Sequence, residues 1–77
     1  MYWIYALKST EKKFIYVGMT ENLERRVNQH NAGRAPATQY YAPFTLLYSE
    51  TAGSRQEARK REKYLKSGIG KEFLKNK

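Results

Sequence analysis

Two short segments near the start of the chain have the composition of β-strands, and a polar stretch separates them. Tyr2–Lys8 and Phe14–Gly18 are rich in aromatic and β-branched residues, whereas Ser9–Lys13 is polar throughout. Strands that follow each other this closely along a chain pair as an antiparallel hairpin. The sequence therefore predicts a hairpin as the first folding unit.

The register of this hairpin decides which side chains share a face. If Lys8 pairs with Lys13, then Tyr5 lies opposite Tyr16 and Gly18 ends the second strand. The other face then carries only apolar side chains, those of Ile4, Ala6, Ile15 and Val17. We predict that this apolar face is packed in the core.

A helix should follow the hairpin. Thr20 is a suitable N-cap, and Glu21 and Glu24 would lie in the first turn, where the helix dipole favours carboxylates. Residues at helical spacing form one stripe: Leu23, Val27 and His30. Gly33 is a plausible end for this helix.

The middle of the chain predicts a loop and a third strand. Residues 31–43 contain one glycine and two prolines, which is typical of a loop. Phe44–Glu50 alternates in polarity, with Phe44, Leu46 and Tyr48 expected on one side.

The last third of the chain predicts helices. Ser54 and Glu57 form a capping-box pattern that opens a helix ending near Ser67 and Gly68. Residues 69–75 are suited to a short final helix. The order β-β-α-β-α, with a possible last α, predicts an α+β domain in which helices pack on a small, mainly antiparallel sheet.

The chain has 77 residues, no cysteine and one histidine. These counts exclude disulfide bonds, thiolate metal sites and zinc sites built from several histidines. The longest apolar run, Met1–Leu7, is far shorter than the roughly 18 residues that span a bilayer, and no signal peptide precedes it. We therefore expect one soluble domain, residues 1–77, located in the cytoplasm and without a membrane partner.

The sequence is strongly basic, since 15 Lys and Arg against 7 Asp and Glu give a net charge of +8. Nine of the basic and three of the acidic residues lie in Arg55–Lys77, so that segment alone carries +6. A concentrated positive charge favours a polyanionic partner, most often nucleic acid. A helix face that is merely solvated has the same composition, and the charge does not separate the two interpretations.

One carboxylate falls on the predicted apolar stripe of the helix that begins at Ser54. The stripe consists of Ala58, Glu62, Leu65 and Ile69, at steps of four, three and four residues. A carboxylate on such a face is costly unless it is paired or bound to a cation. Two interpretations stay open: a functional carboxylate, or a glutamate at the helix margin that pairs with Arg59 or Lys66.

Three further features suit either chemistry or packing. Arg26 and His30 are four residues apart and share a helix face. Tyr5 and Tyr16, side by side on one sheet face, would hold polar groups toward a ligand or simply pack. The loop over residues 34–41 mixes basic and aromatic side chains, which suits phosphate contact and base stacking but also an ordinary connection.

The two hairpin motifs resemble the signature of a known family. Trp3–Tyr5, ten intervening residues and Tyr16–Gly18 resemble the two-part motif of the GIY-YIG nucleases. Arg26 and Glu62 match the helical arginine and glutamate of that family, and His30 stands where the family often has His or Tyr. The resemblance covers nearly the whole chain. It is closest to small bacterial members related to the nuclease module of the repair incision subunit UvrC.

This resemblance implies a fold, a reaction and a cofactor. It implies a three-stranded antiparallel sheet flanked by helices, and hydrolysis of a DNA phosphodiester bond with one Mg²⁺ or Mn²⁺ ion. Glu62 would ligate the metal, Arg26 would hold a phosphate oxygen, and His30 would assist proton transfer or phosphate binding. One of Tyr5 and Tyr16, with Tyr16 favoured, would accept a proton from the attacking water. The other tyrosine would position water or phosphate.

Basic side chains outside this set are expected to follow the DNA backbone: Arg34, Arg55, Arg59, Lys63 and Lys66. The chain has no room for a separate DNA-reading domain, so we expect selection of DNA structure, low specificity, or targeting by a protein partner, in DNA repair or recombination. Two other functions stay open. One is a nucleic-acid-binding module of the same fold without catalysis, and the other is a small interaction domain whose basic face only aids solubility.

Overall fold

The computed structural model describes residues 1–77, which form three strands and three helices. The strands are β1 (Tyr2–Ser9), β2 (Ile15–Thr20) and β3 (Phe44–Ala52), and the helices are α1 (Leu23–Asn31), α2 (Arg55–Lys66) and α3 (Gly68–Lys75). The strands form one antiparallel sheet in the order β2-β1-β3. The predicted α+β class is confirmed, including the final helix. No helix combines the length and apolar character that crossing a membrane requires.

The β1–β2 hairpin pairs two residues away from the predicted register. Tyr5 lies opposite Gly18 rather than opposite Tyr16. The turn is longer than predicted, since Lys8 pairs with Ile15 rather than Lys13. The Ser9 hydroxyl stabilises this longer turn by accepting a hydrogen bond from the Lys12 N–H at 3.1 Å. β2 also continues beyond Gly18. A shift of two residues keeps each side chain on its predicted face, so the two tyrosines still share one.

Both faces of the sheet are covered, so this small fold has two apolar clusters. The larger cluster, under α2 and α3, consists of Ile4, Ala6, Val17, Ala58, Leu65 and Leu74. The smaller cluster, under α1, consists of Tyr5, Leu7 and Phe44. The predicted core face of the hairpin is confirmed, since three of its members belong to the larger cluster and Ile15 packs against it.

A bulge at Leu47 divides β3 between the two faces. Leu46 and Tyr48 pair with consecutive residues of β1, so Leu47 has no partner in the register. Phe44 consequently packs in the smaller cluster, whereas Leu47 and Tyr48 pack against the larger one. The prediction that Phe44, Leu46 and Tyr48 share one side is wrong, and Leu46 is 46% exposed.

Helix α1 begins later than predicted. Its N-cap is Asn22, whose side chain accepts a hydrogen bond from the Arg25 N–H at 3.1 Å. Thr20 is not the cap because β2 runs through it, and Glu21 therefore precedes the helix. The predicted end is confirmed, since Gly33 follows the helix with a φ of 73°.

Helices α2 and α3 meet at a tight corner. Ser54 caps α2 as predicted, accepting from the Glu57 N–H at 3.2 Å, and Ser67 caps α3 in the same way. At Gly70 the backbone of α2 comes so close that a Cβ would collide with it. The corner rotates the chain, so Ile69 is 71% exposed instead of continuing the apolar stripe of α2. The prediction for Ile69 is therefore wrong.

Candidate active site

Two tyrosine rings converge over a glycine on the face of the sheet that α1 covers. The ring centroids of Tyr5 and Tyr16 are 6.2 Å apart and the rings are tilted by 44°. A Cβ at Gly18 would lie 2.7 Å from the Tyr5 hydroxyl oxygen and 2.9 Å from a Tyr16 ring carbon. Only glycine leaves room for both rings here, so the space at Gly18 holds the tyrosine pair.

His30 links the tyrosine pair to the loop that follows α1. The side chains of Tyr5 and His30 are each 1% exposed, and the Tyr5 hydroxyl oxygen lies 3.1 Å from His30 Nε2. The other ring nitrogen, Nδ1, lies 2.6 Å from Thr38 Oγ1, which in turn lies 3.4 Å from the Ala35 carbonyl oxygen. Thr38 is fully buried. A continuous hydrogen-bonded chain thus runs from β1 through α1 into the loop.

One direction of this chain gives every donor an acceptor. Tyr5 O–H donates to His30 Nε2, His30 Nδ1–H donates to Thr38 Oγ1, and Thr38 O–H donates to the Ala35 carbonyl. In the opposite direction the buried Tyr5 proton would have no acceptor, which costs about 1–3 kcal/mol. The network therefore favours neutral His30 with its proton on Nδ1.

Burial sets the protonation of both partners. It lowers the pKa of His30 below its usual range, and the Arg26 guanidinium adds to this effect by repelling a second positive charge. Burial also raises the pKa of the Tyr5 phenol, and the opposing pull of Arg26 does not overcome it. Both groups are therefore neutral near pH 7.

Arg26 lies one turn before His30 on α1, and its guanidinium affects the pKa of both Tyr5 and His30. Its side chain is half-buried, and its Nη1 donates to Gln29 Oε1 at 3.0 Å. The remaining donors of its planar fork match the oxygens of a phosphate. Gln29, whose hydrogen bond fixes the position of the guanidinium, is not among the residues that the sequence predicted.

Glu62 approaches the same group of residues from α2. Its side chain is 17% exposed, and its Oε2 lies 3.5 Å from Lys66 Nζ. Its negative charge is the smallest of the effects that raise the pKa of the Tyr5 phenol, after burial. The structure shows the pairing interpretation, with Lys66 rather than Arg59 as the partner, and the functional role of Glu62 stays a prediction.

The donor set fits a hard divalent cation that keeps most of its water. No three His, Asp or Glu side chains cluster anywhere in the chain, so Glu62 would be the sole protein ligand. Mg²⁺ commonly binds through one or two carboxylates, with waters and phosphate oxygens completing its shell. The half-buried carboxylate of Glu62 meets that requirement. Soft or multi-histidine metal chemistry does not fit this site.

Four of the predicted DNA-contacting side chains lie on one face of α2, at steps of four, four and three residues, whereas Arg34 follows α1. Arg34, Arg55, Arg59, Lys63 and Lys66 are all exposed. Arg34 lines a shallow concavity on the outer side of α1 together with Arg25. Of these five side chains, only Lys66 forms an ion pair with Glu62.

The loop after α1 is divided between the interior and the surface. Thr38 is buried, so it is not available to a ligand. Tyr41 stacks on Phe14 with ring centroids 3.8 Å apart, whereas Tyr40 is exposed under the ammonium of Lys12. The sequence analysis gave Thr38 no role of its own. Its contact with His30 has no periodic signal, because seven residues of helix end and loop separate the two.

Comparisons with known proteins identify the family of the chain. The family described as the GIY-YIG catalytic domain matches residues 1–76. A UPF0213 protein of Clostridium perfringens is 39% identical over 67 residues, which cover 86% of this chain and 71% of that protein. A UPF0213 protein of Staphylococcus haemolyticus is 35% identical over 75 residues, covering 96% and 90%.

A solved structure leads to the same assignment. The solution NMR structure of a UPF0213 protein from Bacillus halodurans matches with a TM-score of 0.58 at 30% identity, covering 99% of this chain and 84% of that one. Fold, motif spacing and sequence similarity therefore coincide over nearly the full length. The chain belongs to the GIY-YIG family, and it has a nuclease-type domain of that family in common with the UPF0213 proteins.

Proposed function

We propose that this protein is a metal-dependent endonuclease that hydrolyses DNA phosphodiester bonds. The observation that carries the proposal involves four separate elements: the rings of Tyr5 on β1 and Tyr16 on β2 meet at Gly18, and the charges of Arg26 on α1 and Glu62 on α2 both act on the Tyr5 phenol. Such a set can bind a phosphate, orient a water and accept its proton. A purely structural role would not require the polar ends of these side chains to converge.

The two tyrosines have different surroundings and are assigned different roles. The Tyr5 hydroxyl is buried and donates to His30, so it is suited to positioning. The half-buried Tyr16 hydroxyl has no hydrogen-bond partner in the chain and is available to water. We assign Tyr16 as the group that accepts the proton of the attacking water. A phenol needs a nearby cation for this, because its ordinary pKa is near 10.

Arg26 and Glu62 provide the charges for phosphate chemistry. Arg26 would hold a non-bridging phosphate oxygen through its free donors and stabilise charge that develops there. Glu62 would hold Mg²⁺ or Mn²⁺ among waters and phosphate oxygens. Such an ion, when bound, stabilises the scissile phosphate and the leaving oxygen. His30, held neutral, keeps the Tyr5 hydroxyl in place and assists proton transfer.

A second candidate function is a nucleic-acid-binding module of the same fold without catalysis. The ion pair between Glu62 and Lys66 favours it, because a neutralised carboxylate is a poorer metal ligand. The net charge of +8 supports binding under either function. The exposed arginines and lysines, including Arg34, Arg55, Arg59 and Lys63, would track phosphates in both cases.

A cleavage assay separates the two functions. Supercoiled plasmid and a branched DNA are incubated with Mg²⁺, Mn²⁺ or EDTA, using the wild type and Glu62→Gln. Glu72→Gln is the matched control, because Glu72 also pairs with a lysine on its own helix, at 3.7 Å. We expect metal-dependent cutting that Glu62→Gln abolishes and Glu72→Gln retains. Binding without cutting by the wild type would favour the non-catalytic module, and cutting by Glu62→Gln would refute the assignment of Glu62.

We propose DNA repair or recombination as the biological setting, on the strength of the likeness to the UvrC nuclease module. Target choice would then come from DNA structure or from a protein partner. Sharp sequence-specific cutting by the isolated chain would contradict this part of the proposal.

A further inference from the structure

A groove with a volume of about 730 Å³ lies beside β2, which is an edge strand of the sheet. It runs between the hairpin end of the sheet and the corner of α2 and α3. Its floor is apolar and is formed by the partly exposed side chains of Ile15 and Leu47, together with Leu65 and Leu74, which are buried in the larger cluster. The volume is in the range of roughly 300–1,000 Å³ typical of pockets that hold small organic groups.

The rims of the groove are lined by lysine. They consist of Lys8 and Lys13 on the hairpin side, and Lys66, Lys71, Lys75 and Lys77 on the helix side. No acidic residue lines the groove. Lys8, Lys13 and Lys71 form no ion pair. Positive charge on both sides of an apolar floor is complementary to a chain that has phosphates and flat apolar faces.

The groove adjoins the candidate active site. β2 lines the groove along Ile15–Val17, and Tyr16, one of the converging tyrosines, is part of that stretch with its ring on the opposite face of the sheet. Lys66 lines it too, and its ammonium lies 3.5 Å from Glu62. A strand whose phosphate is held near Glu62 would therefore reach the rim of the groove at Lys66.

We propose that this groove binds an unpaired segment of the nucleic-acid substrate next to the scissile phosphate. The proposal rests on the proposed nuclease function and specifies its substrate. Lysines on the two rims would contact phosphates, and unpaired bases would lie on the apolar floor at Ile15 and Leu47. A continuous duplex has its bases stacked inside and would reach the lysines but not the floor. The enzyme would accordingly act on single-stranded or branched DNA in preference to intact duplex.

Binding assays in EDTA test the groove without requiring cleavage. Fluorescence anisotropy compares three oligonucleotides of equal length: a thymidylate single strand, a duplex, and an abasic single strand that keeps the phosphates but lacks the bases. We expect the thymidylate strand to bind at least about fivefold more tightly than the abasic one, the lower end of what one stacked base contributes. We also expect it to bind more tightly than the duplex.

Lysine variants locate the binding. Lys13→Gln and Lys71→Gln remove one charge from each rim, and Lys60→Gln is the matched control because Lys60 is exposed on α2 outside the groove. Each groove variant should weaken thymidylate binding and reduce the slope of log affinity against log salt by about 0.7. Lys60→Gln should have a smaller effect.

Equal affinity for the thymidylate and abasic strands would overturn the proposal, because the bases would then contribute nothing. Equal effects of Lys13→Gln, Lys71→Gln and Lys60→Gln would overturn it as well, since the charge would act without a specific location. Groove binding that persists in a wild type unable to cut DNA would refute the proposed nuclease function while leaving the groove assignment intact.

Discussion

The Tyr5 hydroxyl lies 3.1 Å from Nε2 of His30, and this contact joins the central strand of the sheet to α1. Both side chains are buried, so the hydrogen bond excludes water and fixes the orientation of the phenol. Tyr16, on the neighbouring strand, is half-buried and its hydroxyl has no hydrogen-bond partner in the chain. The pair of tyrosines is thus asymmetric although both belong to the same motif.

Replacing each tyrosine by phenylalanine should separate stability from activity. Tyr16→Phe should reduce cleavage by about 10²–10⁴-fold, as expected for loss of a proton acceptor, with little change in the free energy of unfolding. Tyr5→Phe should lower that free energy by about 1–3 kcal/mol, because it leaves the buried His30 Nε2 without a donor. Urea unfolding and plasmid nicking measure the two effects. Full activity in Tyr16→Phe would contradict its assignment.

Thr38 is expected to be a positioning residue for His30. Thr38→Val removes the acceptor 2.6 Å from Nδ1, whereas Thr38→Ser keeps a hydroxyl there. The chain has one histidine, so ¹⁵N chemical shifts of the imidazole report its tautomer without ambiguity. We expect the Nδ1–H form in the wild type and Thr38→Ser, and a mixture in Thr38→Val. An unchanged tautomer in Thr38→Val would show that the hydroxyl does not set it.

The protein should become less stable as the pH falls through the range in which free histidine titrates. Burial lowers the pKa of His30, so the unfolded chain binds a proton more readily than the folded one. The stabilising contribution is therefore complete above about pH 6.5, the unfolded pKa, and is lost below it as the pH approaches the folded pKa.

Urea unfolding at several pH values tests this sign. The midpoint of the wild type should fall between about pH 7 and pH 5.5, above the range in which ordinary carboxylates titrate. The urea midpoint of His30→Gln, whatever its absolute value, should change less with pH over the same interval. Parallel curves for the two proteins would show that His30 is not the titrating group.

Gly18→Ala should disturb the site more than the fold. The added Cβ would lie 2.7 Å from the Tyr5 hydroxyl oxygen and 2.9 Å from the Tyr16 ring, so one ring must move. Overpacking of this kind costs about 1–3 kcal/mol of unfolding free energy, and we expect cleavage to be lost with it. Gly68→Ala is the control, because nothing lies within 4 Å of its Cβ position. Wild-type cleavage by Gly18→Ala would contradict the packing described here.

Local patterns were sufficient for the elements and for the identity of the candidate site. Alternation placed Ile4 and Ala6 in the core, and the Ser54 cap marked the start of α2 correctly. The spacing of the tyrosine motifs, together with Arg26 and Glu62, indicated the family that the comparisons confirm. These features depend on side-chain periodicity and on residues close together in the chain, which a sequence displays directly.

Other features depended on packing between distant segments. The hairpin register depends on a side-chain hydrogen bond within the turn at Ser9. The bulge at Leu47 allows β3 to pack residues in both apolar clusters. Thr38 reaches His30 only because the loop folds back under α1. Lys13 and Lys71 face one groove although most of the chain separates them. No periodic pattern records such contacts, because the free energy that selects them comes from burying both partners together.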